Sequence, residues 1–307
     1  MTEDEKYMRR CIQLAKNGQQ NAKPNPMVGA VIVSADGRII GEGYHVRCGE
    51  GHAEVNAFAS VRPEDEALLP GATMYVSLEP CSHYGKTPPC ADLIIKKRIR
   101  RVVVGCIDEF AEVQGRGIKK LQDAGIEVEV GVLEAECKAL NRRFFTFHRE
   151  QRPYIILKWA QTANGFIDDH FQPTQISSDF TKMLSHKLRA EEDVILVGRV
   201  TDERDHPQLN VREWCGPNPK RLVIDHQHPL NLDSLHAHRI QSLIVEGGAQ
   251  TLKSFFEEGL WDELRVETNL AKTVSDGTRA PQIPAEALAV ESHKYDDNLF
   301  VTYRRNP

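Results

Sequence analysis

The sequence lacks any apolar run approaching the length of a membrane span, and it opens on the polar, acidic stretch Met1-Thr2-Glu3-Asp4-Glu5-Lys6, which does not read as a secretory leader. The expectation is a cytoplasmic protein with no membrane partner. A basic surplus is also missing, since 39 Lys and Arg stand against 44 Asp and Glu for a formal net charge of −5. Nucleic-acid binders usually carry a basic footprint, so no nucleic-acid partner is expected. A small phosphorylated substrate or a local basic pocket stays compatible with that charge. Internal repeats and low-complexity tracts are absent. Cysteine is scarce and odd in number, seven in 307 residues, which excludes a disulfide framework and leaves clustered cysteines to be read as metal ligands. Cys11, Cys106, Cys137 and Cys215 belong to no motif and read as small buried or incidental residues.

What is present suits two α/β domains, 1–150 and 151–307. Thr2 and Glu5 have capping-box spacing, followed by an apolar face of Met8, Cys11, Ile12 and Ala15. Strand patterns at 27–33, 73–78, 102–107 and 127–132 alternate with helical patterns at 52–60, 91–97 and 118–124. The charged run from His148 to Pro153 reads as a linker. Beyond it, strands are expected at 154–159, 194–197, 221–224, 242–245, 264–267 and 300–303, with helices at 180–190 and 252–256.

Chemistry concentrates in the first half. His52-Ala53-Glu54 is followed by Pro80-Cys81 and then Cys90. Zinc prefers imidazole and thiolate, and a catalytic site keeps three protein ligands and one open position. The metal brings the pKa of water at that position near ~7. A glutamate two residues from the histidine can take the water's proton and return it to a leaving amine. This order of residues is that of zinc nucleobase deaminases, with a longer interval between the cysteines. His52, Cys81 and Cys90 are thus the candidate ligands and Glu54 the candidate catalytic residue. A structural site would need a fourth ligand, for which His83 is the near candidate, but that leaves Glu54 without a purpose. His45 suits a substrate contact better than a ligand.

Together with these motifs, Pro24-Asn25-Pro26-Met27-Val28-Gly29-Ala30, His45 with Gly49, Leu78-Glu79-Pro80-Cys81-Ser82-His83, Gly85-Lys86-Thr87-Pro88-Pro89-Cys90, Gly115-Arg116-Gly117-Ile118 and Leu140-Asn141-Arg142 resemble the bifunctional riboflavin-biosynthesis deaminase–reductases. The resemblance implies a cytidine-deaminase-like three-layer α/β/α domain. It also implies a diaminopyrimidinone substrate carrying a phosphoribosylamino group, whose 2-amino group is hydrolysed. Asn25 then suits the ring's polar edge, and His83 and Lys86 suit the ribose phosphate. The family's Asp-Pro-Asn-Pro segment reads Asp108-Glu109-Phe110-Ala111 here.

The second half resembles the reductase partner, which has a dihydrofolate-reductase-like fold and uses NADPH to reduce the ribose to ribityl. Pro153-Tyr154-Ile155, Arg189-Ala190, the Thr201–Arg212 segment and Val245-Glu246-Gly247-Gly248 carry the match. The resemblance assigns Arg189, Leu209, Arg212 and Glu246 to the substrate and Thr201, Asp205, Gly247 and Gly248 to the cofactor. A glycine pair between strand and helix suits a cofactor phosphate. Asn164 stands in place of an aspartate, His206 in place of aspartate or asparagine, and the interval from Asp225 to Ser242 is short for the family. Either the domain is pared down there or a segment is omitted. Related two-domain enzymes associate, so a homo-oligomer is expected. Three rivals are a deaminase with a noncatalytic second domain, a nucleic-acid base deaminase, and a zinc-stabilised binding module. The charge balance opposes the second and Glu54 the third.

Overall fold

The computed structural model describes residues 1–84, 88–109 and 114–305, and the chain divides into two compact units, Met1–Glu150 and Gln151–Pro307. The first unit runs α1 (Glu3–Ala15), β1 (Gly29–Val33), β2 (Ile39–Tyr44), α2 (Ala53–Ala59), β3 (Thr73–Val76), α3 (Cys90–Lys96), β4 (Arg101–Val104), α4 (Arg116–Asp123), β5 (Glu127–Val130), α5 (Glu134–Leu140) and α6 (Arg142–Glu150). The Thr2 hydroxyl accepts the Glu5 N–H, and the Glu5 carboxylate accepts the Thr2 N–H at 2.9 Å, so α1 begins with the reciprocal cap its sequence announces. Its buried face is Tyr7, Met8, Cys11, Leu14 and Ala15.

The sheet order is β2-β1-β3-β4-β5, with β1 antiparallel to both neighbours and β3, β4 and β5 parallel. Strand alternation sends Ile32, Met74 and Val102 to one face, against Ala57, Ile94 and Leu121 of α2, α3 and α4. Val31, Tyr75 and Val103 face the other way, against Met8, Cys137 and Phe145 of α1, α5 and α6. Three layers result.

The sequence pattern gave no hint of β2. Gly41 and Gly43 weaken its strand signature, yet any side chain there would run into the backbone of α2 at Ala53 and Ala57. The two glycines let α2 lie directly on the strand, and α2 carries the His52–Glu54 segment. The charged run from His148 also corrects the linker expectation. Residues to Glu150 form the last turn of α6, whose Phe145 and Phe147 are buried, leaving only a short join before Pro153.

The second unit runs β6 (Tyr154–Thr162), α7 (Asp179–Glu191), β7 (Val194–Gly198), α8 (Arg199–Asp205), β8 (Lys220–Ile224), α9 (Leu232–Ala237), β9 (Ser242–Val245), α10 (Ala249–Glu257), β10 (Glu263–Asn269), β11 (Ala287–Tyr295) and β12 (Asn298–Arg305). The sheet order is β11-β12-β10-β6-β9-β7-β8, parallel from β10 through β8 and antiparallel at β12 and β11. Leu188 of α7 packs on the face of Ile156, Ile195 and Ile244, and Leu252 and Phe255 of α10 pack on the face of Ile155, Leu157 and Leu243.

The short interval after β8 is spanned without a break. Asp225 accepts the Gln227 and His228 N–H groups at 2.8 and 2.7 Å, and Asn231 caps α9 through the Ser234 N–H. Asn164 also has a reason to differ from aspartate: its Nδ2 donates to the Val274 carbonyl at 2.7 Å while its Oδ1 accepts the Thr162 hydroxyl at 2.9 Å. A carboxylate has no donor for the first bond. His206 ends α8 at φ +41°, a left-handed conformation that asparagine, aspartate and histidine adopt more readily than most side chains.

Candidate active sites

His52 is the N-cap of α2, Cys81 follows β3, and Cys90 is the first residue of α3, so two helix starts and a strand end converge. The His52 Nδ1 lies 3.5 Å from the Cys81 Sγ and 3.4 Å from the Cys90 Sγ. A tetrahedral zinc with its usual bond lengths sets sulfur and nitrogen ligands about 3.6 Å apart, so the donor set and its spacing both fit that ion. Among the described residues these three form the cluster able to hold a metal; His83 is exposed and outside it. The Cys90 N–H points at the Cys81 sulfur at 3.3 Å, and the Cys90 thiol, then His52, hold the Cys81 thiol down to about 4.

Glu54 is 3% exposed, and among the described residues the His52 imidazole is the cation that acts on its charge. Burial, then the Cys81 charge, pushes its carboxyl up to about 7. A divalent ion at the three ligands reverses the sign of that local field.

Asn25 and His45 meet at the same place, their Nδ2 and Nε2 atoms 3.1 Å apart, and the His45 ring stands edge-on to His52. The His45 Nδ1 faces the Gly51 carbonyl at 3.2 Å, and a carbonyl can only accept. Hence Nδ1 carries the proton, Nε2 accepts from the Asn25 amide, and the Asn25 Oδ1 is the atom left to recruit a donor. His45, 2% exposed, has both nitrogens engaged within the protein. Its contact with Asn25 is its link to the site.

Two residues quoted in the motifs without a role prove to build this site. Asn141 accepts the Met27 N–H and donates to the Met27 carbonyl, both at 2.8 Å, fixing the segment that carries Asn25. Among the described residues the buried Glu79 carboxylate accepts four backbone N–H groups: Asp108 at 3.3 Å, Gly115 and Gly117 at 2.9 Å, and Ile118 at 3.3 Å. It ties the loop before α4 to the turn that carries Cys81. Lys86 lies outside the described residues.

In the second unit the connection after β7 runs outward to β8, while that after β9 runs back over β6 to β10. They diverge, which makes the carboxyl ends of these two adjacent parallel strands a topological switch point, the place where open α/β sheets bind ligands. Gly198 and Gly247–Gly248 flank it. A Cβ at Gly198 or Gly247 would collide with Thr251, so only glycines let these turns come together there. Gly248 caps α10, and its N–H donates to the Thr201 hydroxyl at 3.0 Å. Two helix starts side by side, bare of side chains, suit the phosphates of a dinucleotide. Asp205 lies one turn beyond Thr201 on α8 and pairs with Arg204 at 2.7 Å.

Arg189 and Glu246 pair bidentately, at 3.2 and 2.7 Å, and Arg189 also donates to the Asn210 carbonyl. Burial favours a neutral Glu246, but Lys158 and Arg189 outweigh it and hold the carboxyl below its usual range. Lys158, half-buried on β6, was missed in the sequence because a single lysine in a strand carries no motif. Leu209 differs from expectation in kind: its side chain is buried in the core with Leu188 and Val197, so what it offers a ligand is its backbone, held at φ +50°. Arg212 leaves its guanidinium half-exposed, bonded to the Asn210 side chain at 2.9 Å.

These geometries define a zinc-dependent deaminase of the nucleobase type joined to a second, mostly parallel α/β unit. Residues 1–106 match the family model of the cytidine and deoxycytidylate deaminase zinc-binding region. Residues 153–234 and 229–269 match that of the RibD C-terminal domain, in two pieces that meet within the Asp225–Ser242 interval. The chain is 36% identical to the riboflavin biosynthesis protein RibD of Aquifex aeolicus (strain VF5) over 355 residues, covering 98% of each. It is 43% identical to the RibD of Escherichia coli (strain K12) over 241 residues, which cover 74% of this chain and 64% of that protein. A crystal structure of a deaminase/reductase from Thermotoga maritima superposes with a TM-score of 0.90 at 33% identity, covering 99% of both chains. The chain belongs to the RibD family of riboflavin biosynthesis proteins: a bifunctional enzyme with a zinc-binding deaminase domain and an NADPH-using reductase domain. Among the described residues no helix is long and apolar enough to cross a membrane.

Proposed function

We propose that residues 1–150 hydrolyse the 2-amino group of 2,5-diamino-6-(5-phosphoribosylamino)pyrimidin-4(3H)-one, and that residues 151–307 reduce the ribose of the resulting 5-amino-6-(5-phosphoribosylamino)uracil to ribityl. The observation that carries this reading is the buried Glu54 beside the His52–Cys81–Cys90 cluster, with the Asn25 acceptor facing the same space. Zinc, when bound, supplies an activated water and a Lewis acid. Glu54 takes a proton from the attacking water and delivers one to the departing amine, so ammonia leaves neutral. The Asn25 Oδ1 accepts a ring-edge N–H, which orients the carbon to be attacked. His83 and Lys86 meet the ribose phosphate.

In the reductase half, Gly247, Gly248, Thr201 and Asp205 hold NADPH, which supplies the hydride. Arg212, the Leu209 backbone and the Arg189–Glu246 pair hold the phosphoribosyl substrate, with Lys158 beside them. Cysteines unbridged by disulfides among the described residues suit a reducing cytoplasm. Self-association is part of the same reading: the outermost strand β11 exposes Leu288 and Val290 on a sheet edge of the kind proteins cover.

The test incubates the protein with the diaminopyrimidine phosphate, with and without NADPH, and identifies products by mass. The uracil is expected in both reactions and the ribityl product only with NADPH; absence of the uracil overturns the reading. Asn25→Asp refines it. Two acceptors, a carboxylate and the His45 Nε2, would then face each other, so kcat/KM for deamination should fall at least about tenfold with zinc retained. Unchanged kinetics would remove Asn25 from substrate recognition.

A further inference from the structure

α7 presents Lys182, His186 and Arg189 at four- and three-residue spacing, hence on one face, and that face holds the loop from Leu209 to Glu213. Arg189 donates to the Asn210 carbonyl at 3.3 Å, and Lys182 pairs with Glu213 at 2.9 Å. Between them lies His186, 1% exposed, a buried histidine that the sequence reading passed over and to which the reaction above gives no part. Its Nδ1 receives the Arg212 N–H at 3.0 Å and, more weakly, the Glu213 N–H at 3.5 Å. A backbone N–H can only donate, so Nδ1 must be bare and the ring proton must sit on Nε2, which lies 3.9 Å from the Glu213 carboxylate.

We infer that His186 is a positioning residue of the reductase: as a neutral imidazole it fixes the backbone of Arg212 and Glu213, and through it the direction in which Arg212 meets the phosphorylated substrate. The inference rests on the reading that Arg212 contacts that substrate. The loop has few other anchors of this kind. The Val211 N–H is held by the Asn218 side chain at 2.7 Å, outside α7. Leu209 and His206, both in left-handed conformations, leave the preceding stretch under backbone strain that the helix face must offset.

Protonation of Nδ1 removes the acceptor and sets a cation against two N–H groups. The groups facing the ring are Lys182 and Arg189 on its own helix, Arg212 and Glu213 on the loop, and Glu246 after β9. Burial lowers the imidazole's pKa, Arg189 and Arg212 push the same way, Glu213 opposes them and Lys182 adds to the lowering. The folded value thus lies below the free value. The hold on the loop is complete above the ordinary imidazole range and is lost as pH falls through the depressed value.

The bifunctional chain carries its own control, because deamination reports on the first unit and NADPH binding on the fold of the second. His186→Leu removes the acceptor at similar volume, whereas His186→Asn places an Oδ1 where Nδ1 was. The reductase KM for 5-amino-6-(5-phosphoribosylamino)uracil should rise at least about tenfold in His186→Leu, the scale of an unsatisfied buried N–H. kcat should change far less, and His186→Asn should recover most of the loss. The wild-type KM should climb on acidification while that of His186→Asn stays flat. If His186→Leu fails to bind NADPH, the asparagine variant and the two pH profiles decide alone. A normal KM in His186→Leu, or the same acid rise in His186→Asn as in wild type, overturns the inference. Arg212→Ala separates the two levels. A normal KM there overturns the substrate role of Arg212 and the inference with it; a raised KM there beside a normal KM in His186→Leu overturns the inference alone.

Discussion

Glu54→Gln should leave about one zinc per chain and lower deamination by at least ~100-fold, the scale of a lost general acid–base group. The amide keeps the shape of the carboxylate but has no site for the water's proton. Cys81→Ser, on the other side of the same cluster, should lose most of the zinc and the activity together, since two ligands remain of three. Metal analysis beside turnover distinguishes the two outcomes. Both variants should reduce the deaminated substrate at the wild-type rate, because the two units are compact by themselves. A Glu54→Gln enzyme that turns over normally means another residue moves the protons. Full zinc in Cys81→Ser removes that cysteine from the metal site.

The second large effect is expected at Gly248. Its φ of −66° is ordinary, and a Cβ there meets only the Thr201 hydroxyl, at 3.2 Å, a contact that a small shift of that hydroxyl relieves. The residue is also the N-cap of α10, a position that aspartate favours. Gly248→Asp should therefore fold as well as wild type or better, yet it sets a negative charge where the cofactor phosphate is proposed to sit. NADPH affinity should fall by one to two orders of magnitude, about 1.4–2.8 kcal/mol, as one charge turns against the ligand. Tryptophan fluorescence titration reads the binding, and a thermal melt reads the fold. An unchanged Kd would move the cofactor phosphates away from this turn. Gly247→Ala is the contrasting case, since its Cβ strikes Thr251 and damages the turn whatever the ligand.

How much of this was legible depended on where the information lay. Elements with a strong period and a cap, such as α1 with Thr2 and Glu5 or the apolar runs of β7 and β9, were placed to within a few residues. β2 was not, because the glycines that make it useful also erase its strand pattern. β11 was not either; its residues are exposed for nearly their whole length, so no alternation marks them. The metal ligands were legible because zinc chemistry restricts residue type and order. The supporting groups were not. Asn141 is 114 residues from Met27 and His186 is 26 residues from Arg212, and no local spacing encodes either bond. The burial of Leu209 and its left-handed backbone were not legible either, since a lone leucine in a loop signals neither.

The Glu79 carboxylate holds backbone on both flanks of one stretch, Asp108 before it and Gly115 after it. A belt buckled at both ends keeps its length whatever is embroidered between. Here the family's Asp-Pro-Asn-Pro is replaced by Asp108-Glu109-Phe110-Ala111, and the N–H groups of Asp108 and Gly115 still both donate to the Glu79 Oε2, two residues before Cys81. Sequence drift in that stretch is therefore expected to leave the metal site undisturbed. In a laboratory library, randomising 109–114 should be far cheaper for zinc retention than the single change Glu79→Ala.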